Sequence, residues 1–151
     1  MLKNRLIASL LALTAAGFGW QMNELGVENK TQTLAASFAS GDRPSTDYTP
    51  TLAQVVELLE RNPSYQVLIE GHAGTRGPDA ANFAVSEKRS ERAANDLRRL
   101  GIKTDRMVVA AAGETQPLAQ LDGENDTTYQ RRLGRVEFVI FHQAIDPEVL
   151  K

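Results

Sequence analysis

The sequence predicts an α+β domain, a two-layer β-α-β-α-β-β sandwich in which two main helices pack on one face of a mixed four-stranded sheet. Two observations support this prediction. Four short apolar stretches are interspersed with two longer segments whose small or apolar residues recur at helical spacing. Glycine, proline and asparagine stand at the junctions between them. With 151 residues, 42% of them hydrophobic, the chain suits one globular domain.

The first strand is predicted at 31–38, and the first helix is predicted to begin at Pro50 with Thr49 as its N-cap. The pair Asn62-Pro63 ends this helix, because the residue before a proline avoids helical backbone angles. Apolar residues at i, i+3, i+4 and i+7 form one stripe that we expect to face the core: Leu52, Val55, Val56 and Leu59.

The second strand is predicted at 65–70, where three consecutive apolar residues are typical of the middle of a sheet. The second helix is predicted to begin at Pro78 or at the N-cap candidate Asn82, and to end at Leu100 with Gly101 as C-cap. A stripe of mainly small residues would lie close against the sheet: Ser86, Ser90, Ala93, Leu97 and Leu100.

The last two strands are predicted at 107–112 and 135–141, and the second of these alternates Val136, Phe138 and Ile140 on one face. Between them, residues 119–131 are polar and are predicted to form a loop. The net charge of −2 gives no reason to expect a nucleic-acid partner. Since the chain has no cysteine, it has no disulfide, no thiol nucleophile and no cysteine for a lipid anchor.

The sequence indicates neither an enzyme nor a cofactor, and we predict no catalytic residues. The chain has two histidines, His72 and His142, and no motif such as HExxH or GxSxG. On a strand, His72 and Glu70 would share a face, but two ligands do not complete a tetrahedral metal site. We therefore expect His72 to be structural, with its ring bonded to the loop backbone.

The N-terminal residues 1–20 place Lys3 and Arg5 ahead of an uncharged run that extends from 6 to 20. This pattern indicates either an export signal or a short membrane anchor, and both alternatives stay open. In either case the rest of the chain is expected to be exported. We predict a linker at 21–30, the folded domain at 31–141 and a C-terminal tail at 142–151.

A glycine-rich loop connects the second predicted strand to the second predicted helix, and it contains Gly71, Gly74 and Gly77. Glycines allow backbone N–H groups to approach a ligand, and the start of a helix adds a partial positive charge, so this corner suits a carboxylate. Arg89 follows on the same helix, and its planar guanidinium can bind a carboxylate with two hydrogen bonds. The alternative is that the glycines only form a turn and that Arg89 is a solvated surface charge.

An ordered series of residues fits a known set of motifs. The residues are Gly71, His72, Gly77, Asn82, Ser86, Arg89, Gly101, Arg106, Gly113, Glu114, Pro117, Arg135, Val136 and Glu137. In this series, which covers about 31–141, the chain resembles the OmpA-like C-terminal domain, whose motifs are GHTDxxGxxxxNxxLSxxRA, GxGExxP and NRRVE. The resemblance implies non-covalent binding of peptidoglycan through the diaminopimelate of its stem peptide. It also implies a location in the periplasm or cell envelope of a Gram-negative bacterium.

In this family the main side-chain contacts are the aspartate of GHTD, which maps to Gly74, and the arginine of LSxxRA, which maps to Arg89. Gly74 supplies no side chain, so another acid such as Asp79 would have to meet the ammonium of the ligand. Together with His72 and Arg135, these residues form the predicted binding site. The segment 133–137, Leu-Gly-Arg-Val-Glu, stands where NRRVE is expected.

Two functions remain compatible with these residues. One is weakened peptidoglycan binding, and the other is an OmpA-like fold that has lost wall binding and acts as a periplasmic interaction or structural module. Other envelope proteins are further candidate partners, and a retained N-terminal segment would add the membrane.

Overall fold

One mixed sheet forms the centre of the computed structural model, which describes residues 31–142. Its strands are β1 (Gln32–Ser40), β2 (Arg43–Pro44), β3 (Tyr65–His72), β4 (Met107–Gly113) and β5 (Arg135–His142). Their order in the sheet is β2-β1-β5-β3-β4, with β3 parallel to β4 and every other neighbouring pair antiparallel. The predicted α+β class and mixed sheet are confirmed. The sheet has five strands rather than four, because a two-residue strand, β2, pairs with the end of β1.

Three helices connect the strands: α1 (Tyr48–Arg61), α2 (Asp79–Arg99) and α3 (Asp126–Leu133). A short 3-10 helix at Thr104–Arg106 precedes β4. The helix α3 lies largely within the segment predicted to be a loop, so that prediction is wrong there. Its N-terminus is capped by Asn125, whose side chain accepts a hydrogen bond of 2.9 Å from the Thr128 backbone N–H.

The main core lies between the sheet and the two longer helices, as predicted. Its members from α1, α2, β3 and β5 include Leu52, Val55, Leu59, Ala93, Leu97, Val67, Ile69, Val136, Phe138 and Ile140. Leu100 was expected in this core but is 51% exposed. The chain leaves the helix there, since Gly101 has φ +97° and its N–H bonds the Arg98 carbonyl oxygen at 3.1 Å, which confirms Gly101 as the helix terminator.

The start of α1 differs from the prediction by two residues. The cap residue is Asp47 rather than Thr49, and its carbonyl oxygen accepts a hydrogen bond of 3.1 Å from the Thr51 backbone N–H. Tyr48 begins the helix because its ring packs edge-on against Phe38 of β1, with 5.4 Å between ring centroids. Pro50 is therefore inside the first turn, where a missing N–H leaves no helical bond unmade.

The helix α2 begins at Asp79, directly after Pro78, which agrees with the first of the two predicted starts. Asn82 is therefore inside the helix and is not its cap. It is buried, and its side-chain amide donates a hydrogen bond to the Glu114 carboxylate. Ser86 faces β3 and β4, where its hydroxyl accepts a hydrogen bond of 2.9 Å from the Gly113 backbone N–H.

Within residues 31–142, none of the helices has both the length and the apolar character needed to cross a membrane. The predicted export segment, the linker and residues 143–151 of the predicted tail lie outside the described residues, and those assignments stay predictions. His142, placed in the tail, is the last residue of β5.

Candidate functional site

Arg89 projects from α2 into the protein and is only 6% exposed. Its Nε donates a hydrogen bond of 2.6 Å to the Gly41 carbonyl oxygen, and its Nη1 donates one of 2.6 Å to the His72 carbonyl oxygen. Its Cζ lies 5.4 Å from the centroid of the Phe38 ring. The alternative that Arg89 is a solvated surface charge is therefore wrong.

Within residues 31–142, the charge of Arg89 is not matched by an anion in direct contact. Burial lowers the pKa of Arg89 to about 10, and the charge of Asp42 opposes that shift, so the guanidinium is protonated at neutral pH. No carboxylate of residues 31–142 forms an ion pair with it. Since a buried charge is costly without a partner of opposite sign, this guanidinium is suited to hold an anionic group.

On the Gly74 side of the loop, the nearest side chain is that of Gln130 from α3. A Cβ added at Gly74 would lie 2.6 Å from Gln130 Oε1, and the three atoms nearest to it all belong to Gln130. Gln130 Oε1 accepts a hydrogen bond of 2.9 Å from the Thr75 backbone N–H, and its Nε2 donates one of 2.9 Å to Thr75 Oγ1. A neutral amide therefore lies closest to the place where the family motif has a carboxylate.

In the loop between β3 and α2, the backbone conformation favours glycine at position 77 but not at position 74. Gly77 has φ +89°, a left-handed conformation that favours glycine. Gly74 is not among the glycines of positive φ, so its backbone conformation does not itself require glycine.

His72 ends β3 and is 1% exposed. Burial, and to a smaller extent the charge of Arg135, lowers the pKa of His72 to about 3, so the imidazole is neutral at pH 7. Within residues 31–142 neither ring nitrogen has a hydrogen-bond partner, so the expectation that the ring bonds the loop backbone is wrong. The backbone oxygen of His72 contributes to the site instead, because it accepts the hydrogen bond from Arg89.

Neither Arg135 nor Asp79 forms a hydrogen bond or an ion pair with Arg89, whose hydrogen bonds go to Gly41 and His72. Arg135 is buried, and its Nε bonds Glu137 Oε1 at 2.7 Å while its Nη2 donates to the Gln116 carbonyl oxygen at 3.3 Å. Asp79 is exposed in the first turn of α2, where a negative charge is favourable to the helix dipole. Among the described residues it makes no ion pair and no side-chain hydrogen bond. The site therefore brings together Arg89 and His72, with Gly74 two residues further along the loop.

Gln130 and Glu137 were not among the predicted site residues, although Glu137 belongs to the motif series found in the sequence. Gln130 was missed because its segment was predicted to be a loop, although Asn125 is a recognisable helix cap. Glu137 lies opposite Glu70 in the β3–β5 ladder. The sequence shows that Glu137 alternates with apolar residues along β5. It does not show the register of β5 against β3, which brings Glu137 opposite Glu70.

Comparison with known proteins places the chain in a family. Residues 44–131, more than half of the chain, match the model of the OmpA family. The chain belongs to the OmpA family. The chain is 33% identical over 86 residues to the peptidoglycan-associated lipoprotein of Brucella melitensis. The aligned residues make up 57% of this chain and 51% of that protein. The chain thus spans about half the length of the curated relatives it matches.

Solved structures of OmpA-family and related proteins share the fold. The peptidoglycan-associated lipoprotein from Burkholderia pseudomallei superposes with a TM-score of 0.60 at 25% identity, covering 70% of this chain and 88% of that one. The cell wall anchor of the T6SS from Pseudomonas aeruginosa has a TM-score of 0.60 at 20% identity, covering 83% and 94%. None of these three proteins carries the name of an enzyme, in agreement with the predicted absence of catalytic activity.

Proposed function

We propose that this OmpA-family protein binds peptidoglycan non-covalently in the cell envelope, by holding a carboxylate of the stem-peptide diaminopimelate on Arg89. The observation that carries the proposal is a buried guanidinium whose two recorded hydrogen bonds go to neutral carbonyl oxygens. Such a group gains a charge-assisted, two-point contact when a carboxylate reaches it. The name of the relatives, peptidoglycan-associated lipoproteins, supports association with peptidoglycan.

The second half of the ligand, its ammonium, is met less well. The amide oxygen of Gln130, already bonded to the Thr75 N–H, lies where an aspartate at Gly74 would stand. Hydrogen bonds to an ionised group are about twice as strong as those between neutral groups, so this replacement weakens binding. In this proposal, exposed Asp79 supplies the remaining carboxylate for the ammonium, and His72 positions Arg89 through its backbone oxygen.

One observation favours a second function. Because Gln130 occupies the Gly74 side of the loop and bonds Thr75, that part of the site is filled by the protein itself. In the second proposal the domain has lost the wall ligand and is a periplasmic interaction or structural module. Both proposals place the protein in the envelope of a Gram-negative bacterium after export, with the N-terminal segment either cleaved or retained.

Co-sedimentation of the full chain with sacculi tests the first proposal. Diaminopimelate-type sacculi should retain the protein, and lysine-type sacculi should retain less, because the lysine side chain lacks the carboxylate that Arg89 binds. Gly74→Asp should strengthen binding about 5- to 150-fold, equivalent to about 1 to 3 kcal/mol. Gly74→Asn is the matched control, since it adds the same bulk near Gln130 without a charge, and it should bind no better than wild type.

Arg89 is tested separately because its removal leaves the Gly41 and His72 carbonyl oxygens without their donor. Arg89→Ala should abolish sedimentation and Arg89→Lys should restore part of it, with circular dichroism and urea unfolding to select folded variants. If wild type and Gly74→Asp are both folded and neither sediments, wall binding is wrong and the interaction module stands.

A further inference from the structure

A second group of polar side chains lies on the face of the sheet that does not pack on α1 and α2. Along β3, Val67 and Ile69 face the helices, so Glu70 and His72 point to the other side. Along β5, Val136 and Phe138 face the helices, so Glu137 also points to the other side. These three side chains offer one ligand atom each, all within 4.8 Å of one another.

Strand register brings the two carboxylates together. Glu70 and Glu137 are directly opposite in the antiparallel β3–β5 ladder, an arrangement that destabilises a sheet when both groups carry the same charge. Glu70 is also 3% exposed, so water screens its charge poorly. Arg135 already lies beside one of the two carboxylates, at 2.7 Å from Glu137 Oε1, and a cation between the carboxylates would be attracted to both of them.

His72 adds an observation that is independent of the carboxylates. It is buried, neither ring nitrogen has a hydrogen-bond partner in residues 31–142, and its Nε2 lies 3.8 Å from Glu70 Oε2 and 3.9 Å from Glu137 Oε1. A buried polar atom without a partner is rare and costs about 1 to 3 kcal/mol. A cation bound between the two carboxylates would accept the lone pair of Nε2 and would remove the cost for that nitrogen.

We propose that Glu70, His72 and Glu137 form a binding site for a divalent transition-metal cation of the Zn²⁺ type. An imidazole with two carboxylates and no thiolate is a donor set that Zn²⁺ accepts, and three protein ligands leave one tetrahedral position for water. Tetrahedral bonds of about 2.0 to 2.1 Å put ligand atoms about 3.3 Å apart, so the two separations between His72 Nε2 and the carboxylate oxygens, 3.8 and 3.9 Å, need to contract by roughly half an ångström.

Neighbouring groups already orient the carboxylates. Gln116 Nε2 donates a hydrogen bond of 3.1 Å to Glu70 Oε1, which leaves Oε2 as the oxygen that faces His72. Arg135 Nε bonds Glu137 Oε1 at 2.7 Å, so Glu137 either shares that oxygen or turns its second oxygen to the cation. Such outer contacts hold metal ligands in place, although the charge of Arg135 opposes a cation. The proposed metal site does not depend on wall binding. Arg89 bonds His72 through the backbone oxygen of that residue, whereas the metal would use its ring nitrogen.

Zinc titration of the full chain tests this site. After treatment with EDTA and dialysis, isothermal titration with ZnCl₂ should show one Zn²⁺ per chain. Glu137→Gln should weaken binding at least tenfold, since it removes one of three ligands and keeps the shape of the side chain. Two matched controls should bind like wild type: Glu57→Gln, which alters an exposed carboxylate paired with Arg61, and His142→Gln, which removes the other histidine.

A second readout keeps the test valid if a variant folds poorly. At the same Zn²⁺ concentration, the thermal unfolding midpoint of wild type and of both controls should rise by more than that of Glu137→Gln. His72→Gln should behave like Glu137→Gln, and if it does not fold, Glu137→Gln alone decides. Absence of Zn²⁺ binding by wild type, or equal affinity in folded Glu137→Gln, would overturn the proposal.

Discussion

Replacing Gly71 by alanine should strongly destabilise the domain, because β3 and α2 approach each other there without room for a side chain. A Cβ at this position would lie 1.9 Å from the Ser86 carbonyl oxygen, 2.8 Å from the Ser86 carbonyl carbon and 3.2 Å from the Ser90 nitrogen. All three are backbone atoms of α2. No change of side-chain rotamer can relieve the contact, so the strand or the helix has to move.

The size of that movement sets the expected cost. Ordinary contacts of this kind begin at 3.4 Å, so α2 and β3 would have to separate by about 1.5 Å. The same helix carries Ala93 and Leu97, which are fully buried in the main core, and its displacement would open that core. Overpacking typically costs 1 to 3 kcal/mol, and here the clash is with backbone, so we expect a loss of at least about 3 kcal/mol.

Urea unfolding followed by circular dichroism measures this loss, and Gly74→Ala is the matched control from the same loop. A Cβ at Gly74 would lie 2.6 Å from Gln130 Oε1, the far end of a flexible side chain that can rotate away. We expect Gly74→Ala to change the free energy of unfolding by less than about 1 kcal/mol. If Gly71→Ala and Gly74→Ala differ by less than about 0.5 kcal/mol, the close approach of β3 and α2 is wrong.

Three further predictions concern the core, pH dependence and export. Leu59→Ala should cost about 2 to 5 kcal/mol in urea unfolding, since Leu59 is fully buried, and a loss under about half a kcal/mol would contradict that burial. The Arg132 hydrogen bond lowers the pKa of Glu124 to about 2 from 4.5, so the stability that this pair contributes at neutral pH is lost as pH falls through that interval. Urea midpoints of wild type and Glu124→Gln should therefore converge between about pH 4.5 and 2, and a constant difference would exclude this linkage. An alkaline-phosphatase fusion after Lys30 should be active outside the cytoplasm, whereas an abundant but inactive fusion would disprove export.

The sequence predicted the elements whose residues repeat with a clear period. The stripe of α1 and the alternation of β5 arise because one side of each element is buried, and burial leaves that pattern in the sequence. The helix α3 has no such pattern. Among its residues only Leu133 is fully buried, so the eight-residue segment has the composition of a loop. Its one local sign is the cap residue Asn125.

Arg89 and Gly74 could be selected from the sequence as candidate site residues, but the contacts around them could not be predicted. Spacing placed Arg89 on α2, yet its burial depends on Gly41 and His72, whose carbonyl oxygens come from two distant parts of the chain. Likewise, the side chain nearest to Gly74 comes from Gln130, 56 positions further along the chain. Long-range contacts of this kind leave no periodic signal in a single sequence.

The two glycines that stand in place of family motif residues, Gly74 and Gly134, affect the candidate site in opposite ways. A Cβ at Gly134 would lie 3.2 Å from Arg89 Nη1 and 3.3 Å from Nη2, so a side chain at this position would require the guanidinium to move by a few tenths of an ångström. Glycine there lets Arg89 keep its buried position beside Phe38. Glycine at 74, by contrast, supplies no carboxylate for the ammonium of the proposed ligand. If the proposed site binds diaminopimelate, the first change leaves the group that would bind its carboxylate in place, and the second leaves its ammonium without an anionic partner. We therefore expect the free carboxylate of a stem peptide to contribute more to binding than its free amine, and amidation of that carboxylate to reduce co-sedimentation more than acetylation of the amine.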